Sequence, residues 1–119
     1  MEILTLIIKQ KFFDEIISGK KTQEFREIRP NTQKKYCQLD SEGFCVEKNG
    51  ELQPRHYDAI RFFVGYNKDR ASALVEVHGA KIELFEDENH NLIEYTYQGE
   101  IYLAAQVVYD LGRIIEKHV

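Results

Sequence analysis

The 119-residue sequence predicts an α+β fold that is mainly β, with its strands closed or partly closed into a small barrel. Three observations lead there. Only one stretch, Gln10 to Ser18, has a convincing helical period. Six or so other stretches read as extended. Turn signals separate them at short intervals, with no repeat, linker or low-complexity segment between them.

The elements follow in order. Ile3 to Lys9 is an apolar run that reads as a buried strand. Phe12, Phe13, Ile16 and Ile17 then fall at helical spacing, with Lys11, Asp14 and Glu15 on the other face. Gly19 stands where a helix stops, because glycine takes the left-handed conformation without steric cost. Thr22 to Ile28 alternates: Thr22, Glu24, Arg26 and Ile28 share one face of a second strand, and Pro30-Asn31 ends it. Residues 31–56 are polar, and Asn49-Gly50 signals a tight hairpin within Gly43 to Pro54. This segment is expected to be a hairpin or lid inserted into a single domain spanning 1–119.

Tyr57 to Tyr66 is another strand, followed by a turn at Asn67 to Arg70. Ala71 to Phe85 forms one long strand or two, with Leu74, Glu76 and His78 on one face and a bend at Gly79. Glu86 to Asn91 is an acidic loop. Leu92 to Tyr97 and Ile101 to Tyr109 look extended, although Ile101 to Leu111 also fits a helix. Arg113 to Val119 is a final strand or a tail.

Composition excludes several classes. Hydrophobic residues make up 43% of the chain and aromatics 12%, too many for a disordered protein. No apolar run approaches a membrane helix, and Met1-Glu2-Ile3 has no basic signal-peptide region, so a cytoplasmic protein is expected. The net charge is −4, but Lys20, Lys21, Arg26, Arg29, Lys34 and Lys35 face only Glu24 and Glu27 between positions 20 and 35. A local cationic site on an acidic body follows, not a whole-surface footprint for nucleic acid. Cys37 and Cys45 are too few for a disulfide framework or a four-thiolate zinc site, and read as reduced structural cysteines. The four scattered histidines match no metal motif, so neither a metal nor an organic cofactor is expected.

One constellation carries a family resemblance. Gly19-Lys-Lys-Thr-Gln-Glu-Phe-Arg26, reached through Phe13-Asp14-x-Ile16-x-Ser18, resembles the G-x-K-x-x-E-x-R hallmark of the ASCH domains. Gly19, Lys21, Glu24 and Arg26 occupy its positions, and Ala73 to Val77 is similar to a later strand of the family. The resemblance implies a PUA-like β-barrel with one N-terminal helix between strands 1 and 2. It also implies binding of RNA or a nucleotide-like ligand beside the motif. Lys20, Lys21, Thr22, Glu24, Arg26 and Tyr66 are the candidate ligand contacts: cations for phosphate, a carboxylate for an exocyclic amine, an aromatic face for a base. Tyr36 and Phe63 are further stacking candidates.

One branch of the family deacylates N4-acylated cytidines, which offers an amidohydrolase as the alternative. Lys21, Glu24 and Glu76 would then be catalytic, with Lys21 as base and Glu76 as proton relay, and Arg26 would stabilise the oxyanion. That branch carries a Thr three residues after the Lys, where this chain has Glu24. A protein-interaction module is the third class, and it would show an exposed apolar patch.

Overall fold

The computed structural model describes all 119 residues. It is mainly β. A five-stranded sheet runs in the order β1 (Ile3–Ile8), β5 (Ala59–Val64), β6 (Ser72–Leu84), β9 (Ala105–His118), β2 (Gln23–Ile28). Its ladders begin at β1 and end at β2 without returning to β1. Two short hairpins complete the strands: β3 (Glu47–Lys48) with β4 (Glu51–Leu52), and β7 (Glu94–Tyr97) with β8 (Glu100–Leu103). The helices are α1 (Gln10–Ile17) and the single-turn α2 (Gln33–Tyr36). No helix is long and apolar enough to cross a membrane.

The chain divides into two compact units, with boundaries after Glu24, Arg55, Gly79 and Val108. Unit 1 comprises residues 1–24, 56–79 and 109–119. Here β1 pairs in parallel with β5, from Ile3 opposite Ala59 to Ile8 opposite Val64. Parallel neighbours need a crossover, and α1 lies in the intervening chain. The first strand is buried on one face only. Leu4, Leu6 and Ile8 point inward, while Ile3 and Thr5 are exposed.

Phe13 and Ile16 are the buried residues of α1. The helix stops where the glycine predicts: Gly19 has φ +82°, and its N–H donates to the Ile16 carbonyl at 3.1 Å. Antiparallel pairing of β5 with β6, Ala59 opposite Glu76, completes a core around Ile60, Phe62 and Val75.

Unit 2 comprises residues 25–55 and 80–108. The 31–56 segment is more than a polar loop. Pro30 starts a 3-10 turn (Pro30–Thr32), in which Thr32 Oγ1 accepts the Arg29 N–H at 2.9 Å, and α2 follows directly. Tyr36 is buried and anchors this second helix, which has too few residues for periodicity to reveal. The Asn49-Gly50 hairpin forms as expected, with both residues at positive φ. Gln98-Gly99 makes the same turn between β7 and β8. Residues 101–111 are extended, and the final residues 113–118 continue β9. The buried apolar set of unit 2 is small: Ile28, Tyr36, Cys37, Ala105, Val107 and Val108.

Candidate functional site

The approach to β2 is pinned from both sides within unit 1. Past the end of α1, the Lys21 N–H donates to the Glu15 carbonyl at 2.9 Å. The Thr22 carbonyl accepts the Leu111 N–H at 2.9 Å, and Gln23 Nε2 donates to Asp110 Oδ1 at 2.7 Å. With its backbone held this way, the chain enters β2 with Glu24 pointing inward. Glu24 is only 6% exposed and is the one buried charged residue of the protein. Lys21 Nζ lies 3.5 Å from Glu24 Oε1, and the Lys21 side chain is itself only 18% exposed. The same ammonium sits 5.7 Å from the centre of the half-exposed Phe12 ring, within cation–π range. The arrangement presents a donor and an acceptor, locked together and flanked by an aromatic face.

The other candidates are distributed differently. Lys20 is largely exposed and lies 3.9 Å from Glu15. Lys21 and Lys20 therefore each face a carboxylate. Thr22 is exposed. Arg26 is half-buried and lies in unit 2, two residues further along the same face of β2. Tyr66 is 83% exposed, on the turn between β5 and β6. Tyr36 is 4% exposed and cannot offer a ring face to a base. One face of Phe63 is taken by the Arg70 guanidinium, 3.9 Å from its centre.

Glu76 belongs to another constellation. Its Oε1 is 2.5 Å from His78 Nε2, and it lines a hollow of about 530 Å³ with Met1, His56, Asp58, Val77, His78 and Ile115. Lys21 and Glu24 are not among the residues of that hollow. A second imidazole–carboxylate pair lies in it, His56 Nε2 at 3.0 Å from Asp58 Oδ1. The Asp58 carboxyl is held below its usual value chiefly by the Glu2 N–H and then by His56. Glu76 is lowered chiefly by His78. A Cβ on Gly112 would collide with the His78 ring, so the glycine is what lets that imidazole lie against β9.

The His56–Asp58 pair escaped sequence reasoning, and Glu76 was not joined to His78. The signal was present, because both pairs are spaced by two and Glu76 and His78 share a face of β6. Comparison with models of known protein families, with curated proteins and with solved structures finds no significant match for this chain.

Proposed function

We propose that the protein binds RNA or a nucleotide-like ligand through the Lys21–Glu24 pair. In this reading the domain is of the ASCH kind and the strands belong to a PUA-like barrel. The observation that carries it is the burial of Glu24 against Lys21. Taking two charges out of water costs several kcal/mol per ion, and well-packed apolar residues often serve a core as well or better. A buried pair therefore adds little to stability, and a pair beside an exposed aromatic ring has a use in recognition.

Glu24 accepts from an exocyclic amine, Lys21 donates to a carbonyl or phosphate, and Phe12 supports a base. The net charge of −4 disfavours long duplexes, whose affinity rests on neutralised phosphates. A nucleoside or a short single strand fits better.

Amide-shift titration with cytidine, N4-acetylcytidine and a short single-stranded RNA tests this. Lys21→Ala and Glu24→Gln are expected to weaken binding at least tenfold while remaining folded. Folded variants that bind like the wild type would overturn the reading, as would the absence of shifts with all three probes.

The second reading, an amidohydrolase on N4-acylated cytidines, draws on the 3.5 Å lysine–carboxylate contact, a proton-exchanging pair. Glu24 stands where the hydrolase branch has its Thr, and Glu76 faces His78, so this chemistry would rest on Lys21 and Glu24 alone. Acetate release from N4-acetylcytidine that disappears in Lys21→Ala would put this reading first.

A further inference from the structure

The two cysteines both lie in unit 2, and both line a cavity of about 500 Å³. Cys37 closes α2 by donating its N–H to the Gln33 carbonyl at 2.7 Å, and it bridges to Pro54. Leu39, two residues on, bridges to Cys45 in antiparallel fashion. Residues two apart on an extended segment share a face, so Cys45 is the diagonal neighbour of Cys37 across this small ladder. The two thiols are near enough for Cys45 to act on the Cys37 thiol. The turn between them is ordered: Asp40 Oδ1 accepts the Glu42 and Phe44 N–H groups at 2.9 and 3.0 Å, and Gly43 takes φ +86°. Cys37 is 5% exposed, and Cys45 is half-buried with its Sγ 3.8 Å from the Gln53 carbonyl.

We propose that Cys37 and Cys45 are a reversible thiol–disulfide pair whose oxidant is a low-molecular-weight disulfide, with Cys45 attacking and Cys37 resolving. In the first step Cys45 gives its proton to solvent, and its thiolate attacks one sulfur of glutathione disulfide. A mixed disulfide forms and one glutathione thiolate leaves. In the second step Cys37 gives its proton to solvent and attacks the Cys45 sulfur. The protein disulfide forms and the second glutathione departs. Two protein thiols are oxidised and one glutathione disulfide is reduced, so atoms and electrons balance.

The division of roles follows from access, since only Cys45 is reachable from outside. The closed turn holds the resolving thiol near the mixed disulfide, which raises its effective concentration there above that of a second glutathione. Burial first, and then its neighbour Cys45, pushes the Cys37 thiol up to about 12. It is therefore a thiol at neutral pH, and the second step accelerates about tenfold per pH unit below that value. The disulfide would staple the cavity wall that carries Glu42, Gly43 and Phe44.

The full chain is incubated in defined ratios of oxidised to reduced glutathione, quenched in acid, alkylated and weighed intact. The wild type is expected to lose two hydrogen atoms and both alkylation sites, and to recover them in reduced glutathione. Closure should be faster at higher pH. Cys37→Ser should accumulate one glutathione on Cys45. Cys45→Ser should leave Cys37 unmodified over the same interval. Wild type that retains glutathione on Cys45 without closing overturns the proposal. So do a disulfide between two chains, or two thiols that remain alkylatable under fully oxidised glutathione.

Discussion

Unit 1 and unit 2 solve the problem of cohesion differently. Unit 1 holds most of the buried apolar side chains, including Leu4, Leu6, Ile8, Phe13, Ile60, Phe62 and Val75, and its acidic and basic residues are equal in number. Unit 2 carries all of the excess acid, buries few apolar groups, and leaves Phe44, Leu92, Ile93, Tyr97, Ile101 and Leu103 exposed. Its order comes from local devices: two tight hairpins, an aspartate-capped turn at Asp40, and the stacked rings of Tyr95 and Tyr102 at 5.7 Å. Burial scales with apolar area, whereas each local device contributes on the order of 1 kcal/mol. The contrast assigns cohesion by apolar burial to unit 1 and cohesion by local devices to unit 2.

The sharpest way to break this comparison uses two phenylalanines. Phe62 on β5 is fully buried, and Phe62→Ala is expected to cost about 3–5 kcal/mol through lost transfer energy and a residual cavity. Phe44 in the Asp40 turn is 67% exposed, and Phe44→Ala is expected to stay within about 0.5 kcal/mol. Urea unfolding measures both. Equal losses would mean that unit 2 buries Phe44 against something and that the division of labour is wrong.

The next effect concerns the ion pair of unit 1. Lys21→Met leaves Glu24 charged and buried, at a cost of about 3 kcal/mol, the lower end for a broken buried pair because Lys21 keeps some exposure. Replacing both partners, Lys21→Met with Glu24→Leu, should recover most of that loss. Ligand binding should be absent in the single and the double variant alike. A double variant as unstable as the single one would show that the pair stabilises the fold, and would remove the argument for recognition.

What could be read in the sequence was local. The amphipathic stripe of α1, its glycine stop, the alternation of β2 and the Asn49-Gly50 turn each depend on a few adjacent residues, and each forms where expected. The β2 alternation already placed Glu24 on the same face as Arg26. It did not reveal the contact with Lys21, because that lysine precedes the strand and reaches forward three residues to Glu24. Residues 101–111 were ambiguous because Ile101, Val107 and Val108 suit either period, and long-range pairing decides between them. The helix at Gln33–Tyr36 was invisible because the burial of Tyr36, not the propensity of one turn, sets it. The meeting of Cys37 with Cys45 depends on the Leu39–Cys45 register, which sequence spacing does not encode.

The smallest expected effect separates the units by acid. Glu76 and Asp58 in unit 1 and Asp87 in unit 2 all have carboxyls below their usual values. In unit 1 a histidine shares the work, as first cause for Glu76 and second for Asp58. In unit 2 the Asn91 and Asn89 N–H groups hold Asp87. A folded value below the unfolded one stabilises the fold above the unfolded pKa. That contribution is lost as pH falls through the folded value. Stability from Glu76 is therefore complete above its ordinary 4.5 and declines below it, and that from Asp58 and Asp87 declines below 3.8. Gly112→Ala distinguishes the two mechanisms. The added methyl displaces the His78 ring, so the Glu76 carboxyl should titrate closer to its ordinary value while Asp87 is unmoved. Carboxyl-resolved NMR titration from neutral pH into acid reads each group separately. If Glu76 kept its depressed value in Gly112→Ala, the cause would lie in the Arg113 N–H behind it, and His78 would be free for a role other than orienting that carboxylate.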